Sequence, residues 1–191
     1  MSCDISHGRL EPCKDVVGGL RNIYILNYGT YDPQTDVTYD PSPALSDVIT
    51  AINTAPLTDI YKYELKGTNS FETTITSSRE NGTTFFEQVL SVQLKKQDQI
   101  THKQIKLLSY GRPNIIVETN NNDFFIAGLV RGMDVTAGTI SNGTALGDMT
   151  GYSLTFTGQE AVPANWLDCS TEAQLVSLLG NPTVEIGRAH V

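Results

Sequence analysis

A two-residue rhythm constrains this chain more than any other feature. In "LTDIYKYEL", which starts at Leu57, Leu57, Tyr61, Tyr63 and Leu65 share one parity, while Lys62 and Glu64 share the other. In "SFETTITSS", Phe71, Thr73 and Ile75 alternate with Glu72, Thr74 and Thr76. After Glu80-Asn81-Gly82, the segment "TTFFEQVLSVQLKKQ" sets Phe86, Leu90, Val92 and Leu94 on one side. In "GYSLTFTGQE", Tyr152, Leu154 and Phe156 alternate with Ser153, Thr155 and Thr157. Successive side chains of a strand point to opposite faces, so these segments read as strands with one buried and one wet face. Asn81-Gly82 is a tight hairpin signal. The hairpin over residues 70–97 then has arms of about 35 Å.

The remaining segments fill in the fold. "LRNIYILNY", from Leu20 to Tyr28, is a first strand ended by Gly29. Residues 30–43 are rich in Asp and Pro and form a surface loop. "SDVITAIN" over residues 46–53 reads as a short helix capped by Ser46, against the preference of its β-branched residues. "DQITHKQIKLLSYGRP" is the clearest helix. Ile100, Gln104, Leu107 and Leu108 have helical spacing, Asp98 can cap, and Gly111 and Pro113 stop it. "NIIVETN" is a strand, "NND" a turn, and "FFIAGLVRGMDVTAG" a strand with bends or bulges at Gly128 and Gly132. "TISNGTALGD" is a glycine-rich loop. "VPANWLDCSTEAQLVSLLGNP" is an extended crossing anchored by Trp166, then a helix capped by Ser170 and stopped by Gly180-Asn181-Pro182.

No internal repeat and no linker long enough to separate two domains is visible. The expected fold is mainly β: an antiparallel β-sandwich or small barrel with one flanking helix and a short C-terminal helix. Residues 1–19 read as an N-terminal arm kept extended by Pro12, and residues 20–184 as a single β-rich domain. Residues 185–191, "EIGRAHV", match codon for codon the translation of a common short-read sequencing adapter. The expectation is that the natural protein continues differently after Val184, and that His190 carries no meaning.

Composition narrows the partners. The 191 residues carry a formal net charge of -8, and the longest basic run is Lys95-Lys96. Such a chain has no electrostatic grip on a phosphate backbone, though its charge suits a surface past which DNA slides. No segment approaches the roughly 18 apolar residues of a membrane span. No apolar leader precedes Cys3, so a reducing cytoplasm is the expected place of synthesis. Asn81-Gly82-Thr83 and Asn142-Gly143-Thr144 match a glycosylation sequon and read as turns.

Chemistry is hard to find. Cys3, His7 and Cys13 are spaced C-x3-H-x5-C, unlike the close pairs of zinc sites, with Asp4, Glu11 or Asp15 as the only nearby fourth ligands. A Cys3–Cys13 disulfide does not suit a reducing compartment. Cys169 reads as a small packed residue. His102 sits on a helix face without a second ligand or base at helical spacing. Asp32, Asp36 and Asp40 lack the calcium-loop pattern, and the pairs Asp32/Asp36 and Asp148/Glu160 lie in loops. Nucleophile-elbow, dinucleotide and phosphate-loop motifs are absent. No enzyme, catalytic residue, cofactor or metal is therefore expected. A carbohydrate-binding sandwich is a rival reading, with Tyr28, Tyr31 and Tyr39 as an aromatic platform.

What stands out is the amount of wet β-surface, whose sheet edges need covering. The order of elements, a long hairpin, one helix, then antiparallel strands ending in "GDMTGYSLTFTGQE", resembles the tail tube proteins of bacteriophages, a fold shared with type VI secretion tubes. "CDISHGRLEPCKDVVGGLRNIYILNYG" resembles the starts of virion proteins from phages of Bacteroidetes-type hosts. The resemblance spans residues 57–160; the loop at 30–43 and the C-terminal helix lie outside the minimal tube fold. It implies a structural virion protein, present in the host cytoplasm before assembly. Copies would form sixfold rings, stacked through the long hairpin and the N-terminal arm, alongside other tail or neck proteins. Double-stranded DNA would pass through without specific binding. A neck, connector or tail-terminator ring is the alternative within the same class.

Overall fold

The computed structural model describes residues 7–53 and 59–187. The strands before the first helix are β1 (Leu20–Leu26), β2 (Val37–Tyr39), β3 (Ile49–Ile52), β4 (Asp59–Glu64), β5 (Ser70–Ser78) and β6 (Thr83–Lys95). Helix α1 (Gln99–Leu108) leads to β7 (Asn114–Thr119), β8 (Phe124–Ala127), β9 (Asp134–Ser141), β10 (Gly151–Glu160) and β11 (Asn165–Leu167). Helix α2 (Glu172–Leu178) and β12 (Thr183–Ile186) follow. β12 pairs in parallel with β4, so Glu185 and Ile186 continue the strand that opens at Thr183.

Two sheets pack face to face in a β-sandwich, one of the two forms that the alternation allows. The larger has eight strands in the order β12-β4-β1-β7-β8-β11-β3-β2, and the smaller has four in the order β5-β6-β10-β9. The larger sheet is a middle layer. Ile23 and Ile25 of β1, with Ile115 and Val117 of β7, face the smaller sheet's Leu90, Val92, Leu154 and Phe156. Tyr24 and Leu26, with Ile116, face the opposite way, toward Leu175, Leu178 and Leu179 at α2. That is why "IYIL" and "IIV" are unbroken apolar runs: both faces of these strands are dry. Each fully buried aliphatic side chain here contributes about 1.5–3 kcal/mol.

The smaller sheet follows its sequence pattern along β10 and beside the core; Ile75 is exposed despite its inner parity, and β9 runs on through Thr139, Ile140 and Ser141, where the sequence suggests a loop. β5 and β6 pair from Ser70↔Ser91 to Ser78↔Thr83, and Gly82 in the turn has φ +61°. Tyr152, Leu154 and Phe156 are buried. Asp98 caps α1 by accepting from the Ile100 and Thr101 amides at 3.1 and 3.2 Å.

Elsewhere the structure corrects the sequence. Residues 46–53 hold strand β3 rather than a helix. A bulge opposite Thr38 and Tyr39 inserts Thr50 as an extra residue, so Ile49 and Ile52, three positions apart, enter the same core. Residues 124–138 are not one bent strand: β8 belongs to the larger sheet and β9 to the smaller. Gly128 and Gly132, at φ +65° and +76°, make the reversal between them. In β4, Ile60 is fully buried in the α2-side core, so both faces of that strand are used; Leu57 lies outside the described residues. On α1 the inward residue is Ile105, while Ile100 and Leu107 are exposed. Helix α2 is capped by Thr171, not Ser170, whose amide instead donates to Gln174 Oε1 at 2.9 Å.

Candidate functional site

The outer face of the four-stranded sheet and the two edges of that sheet form the candidate site. Its inner parity is consumed by the core, which leaves the other parity to water. Thr74 and Thr76 of β5, Ser91 of β6, and Ser153, Thr155 and Thr157 of β10 lie on this outer parity. Hydroxyls meet across strands: Thr136 Oγ1 lies 2.9 Å from Thr157 Oγ1. Glu72, Glu87 and Asp134 give the face negative charge. Lys95, at one end of β6, is the single cation in all four strands.

The edges are unusual for their length. Edge strands are normally short or covered, because a row of free amides and carbonyls invites pairing. The larger sheet obeys this, ending in β12 and β2 with four and three residues. The smaller sheet ends in β5 and β9, with nine and eight residues, and neither has a second partner among the described residues. They are also staggered. One row crosses Glu72, Val89, Thr157 and Asp134. Beyond it β5 runs on to Ser78 with no β9 beside it; in the other direction β9 runs on to Ser141, past the start of β5.

A second polar cluster is architectural. Glu118, at the end of β7, accepts from Asn22 Nδ2 at 2.6 Å, and Arg21 lies 3.5 Å away. Tyr24 Oη lies 3.0 Å from both Glu118 Oε2 and Glu172 Oε2. Lys62 Nζ closes the set 2.5 Å from Glu172. Burial, and then the two carboxylates, push the Tyr24 hydroxyl up. The cluster pins α2 to the sheet.

The sequence candidates scatter. Cys3 and Asp4 lie outside the described residues; His7, Glu11, Cys13 and Asp15 are exposed. Asp36 and Asp32 cap their own loop, accepting from the Asp32 amide at 2.7 Å and the Gln34 amide at 2.9 Å, and Asp40 accepts from the Ser42 amide at 2.7 Å. Asp148 accepts from the Thr144 and Ala145 amides, which hold its carboxyl below the usual range. Glu160, buried, accepts from the Val130 and Arg131 amides at 3.0 and 2.7 Å. His102 is exposed, its ring 6.2 Å from that of Tyr152. Burial, and then Asp168 and Glu118, push the Cys169 thiol up to about 12, so it stays protonated at neutral pH.

The tyrosine platform does not form: Tyr31 is buried and donates to the Leu129 carbonyl at 2.8 Å. Trp166 does not bury itself as an anchor; it is 47% exposed on β11, its ring 4.3 Å from that of Phe125. Among the described residues no group of three His, Cys, Asp or Glu is placed to hold a metal ion. No helix of those residues is long and apolar enough to cross a membrane. No protein-family model matches the chain, and neither a curated protein nor a solved structure does so significantly.

Proposed function

We propose that this chain is a structural subunit of a phage virion, a tail tube protein whose copies join edge to edge into rings that conduct double-stranded DNA. One observation carries the reading: a single sheet combines two long bare edges with an outer face that is hydroxylated, acidic and almost free of cations. β5 and β9 run in opposite directions, since three antiparallel pairings separate them. A rotation that sets one copy's β9 beside the next copy's β5 therefore continues the antiparallel pattern, and repetition closes a ring. The outer parity of every copy then lines one bore. Thr, Ser and carboxylate side chains there give phosphates no counterion-releasing contact, which keeps transit free of sticking.

Negative-stain microscopy of the purified full-length protein tests this. Rings or stacked tubes are expected, and uniform monomers at high concentration overturn the reading. The β11-β3-β2 wing, which extends the larger sheet beyond the tube-like part, favours a second reading as a neck or terminator ring. Copies per particle separate the two: many tens for a tube subunit, a single ring's worth for a neck component.

A further inference from the structure

The larger sheet is wider than the sheet that covers it. β4, β1, β7 and β8 contribute Tyr63, Ile25, Val117 and Ala127 to the shared core, but the wing of β11, β3 and β2 continues past the cover. A corner forms where the bare edge of β5 approaches β8 and the segment that leads into β11, the first strand of that wing. It holds a cavity of about 420 Å³ with Leu20, Phe71, Phe125, Pro163 and Ala164 among its walls. Trp166 pairs across strands with Phe125, on the same side of the sheet, and half of it is bare. A large aromatic tilted against another aromatic near an unpaired edge and half exposed is unfinished packing.

The other edge of the same sheet carries a matching piece. On β9, Gly138 and Ile140 lie opposite Leu154 and Tyr152, so they point to the core side. Yet Ile140 is 51% exposed, because no described residue beyond the edge covers it.

The geometry points to β9 of a second copy as the occupant of this corner, antiparallel to β5, with its Ile140 beside Phe71 and over Phe125 and Trp166. The inference rests on the ring reading and gives that ring its contact. Parity sets the register. Core-side residues of β5 are odd-numbered, as Phe71 shows, and those of the last half of β9 are even-numbered. Placing Phe71 opposite Ile140 keeps both on the core side and overlaps the two strands along nearly their full lengths. It also sets Glu72 opposite Thr139 and leaves Asp134 at the far end near Ser77, so the two edge carboxylates do not face each other.

Directly opposed residues of an antiparallel pair have Cα atoms about 4.5–5.5 Å apart, within disulfide reach. The test introduces Phe71→Cys and Ile140→Cys into the full chain with Cys3 and Cys13 replaced by Ser. The double variant should give a reductant-sensitive ladder of multimers on mild oxidation, and the two single variants, mixed, should give dimers. Cross-linking of the Thr73→Cys/Ile140→Cys pair in place of this one overturns the register. Rings seen without the 71–140 bond overturn the corner contact and leave edge assembly standing; neither rings nor bond overturns both. Ile140→Asp is the second arm. It should leave the melting temperature of the isolated subunit within a few degrees and raise the concentration needed for assembly at least tenfold. Unchanged assembly overturns the inference.

Discussion

Tyr24 and Glu172 stand 148 positions apart in the chain, and the tyrosine hydroxyl sits 3.0 Å from the glutamate's Oε2. The same hydroxyl is 3.0 Å from Glu118. A phenol has one proton to donate, so it serves two carboxylates from one point, with Asn22, Arg21 and Lys62 supplying the other donors. Tyr24→Phe removes that proton and leaves acceptors short. Expected is a loss of about 1–3 kcal/mol, read as a lower urea midpoint at unchanged slope.

Alkaline pH should loosen the fold through the thiol and phenol groups whose ionisation burial disfavours, Cys169 and Tyr24 among them with Tyr31, Tyr39 and Tyr63. In the folded chain the Cys169 thiol ionises near pH 12, and in the unfolded chain near its ordinary 9.0. Below pH 9 both states keep the proton, and the group's contribution to stability is fully present. Between 9 and 12 the unfolded state alone sheds it, so stability falls as pH rises. Tyr24, raised from 10.0, adds to the loss from pH 10 upward. Melting temperature followed from pH 8 to 11 should decline, and Cys169→Ala should make the decline shallower.

Gly132→Ala should be costly for a mutation that adds one methyl group. The residue sits at φ +76°, and a Cβ there would overlap the Arg112 carbonyl oxygen. Backbone strain and the clash together predict at least about 2 kcal/mol of destabilisation by thermal denaturation, against near neutrality for Gly147→Ala, where the added Cβ meets open space.

Ile116 and Ile75 separate core from edge. Ile116 is fully buried in the middle layer, and Ile116→Ala should cost about 2–5 kcal/mol. Ile75 is 66% exposed, and Ile75→Ala should change the stability of the single chain by less than about 0.5 kcal/mol.

The outer face makes an electrostatic prediction. Thr155→Arg with Thr157→Arg should leave the melting temperature nearly unchanged, because both side chains stand on the wet parity of β10. The variant should retain double-stranded DNA in a filter assay at low salt and release it as salt rises; the parent protein should retain little at any salt.

The sequence was legible where a strand has one wet face. β5, β6 and β10 show a clean alternation because water and core take turns along them. It was not legible where that condition fails. β4 packs on both faces, so Ile60 and Lys62 belong to a second interior that "outward" positions do not announce. At β3 a single bulged residue converts a period of two into a spacing of three, which mimics a helix. Tyr31 and Trp166 exchanged expectations, the loop tyrosine going inside and the lone tryptophan staying half outside. The candidate site has no motif of its own. Long free edges arise from which strands become neighbours, and no local run of residues encodes that order. The abundance of Thr and Ser on one parity was the available signal, and it located the face but not its borders.

The stagger between β5 and β9 has a mechanical consequence. Two borders displaced along the strand direction cannot be joined flush, so a closed ring built through them leans its strands away from the axis. A pull along that axis would then load the whole row of inter-subunit amide–carbonyl pairs together, in shear, instead of peeling them singly. Length of overlap, rather than the strength of any one contact, would set the force such a conduit withstands.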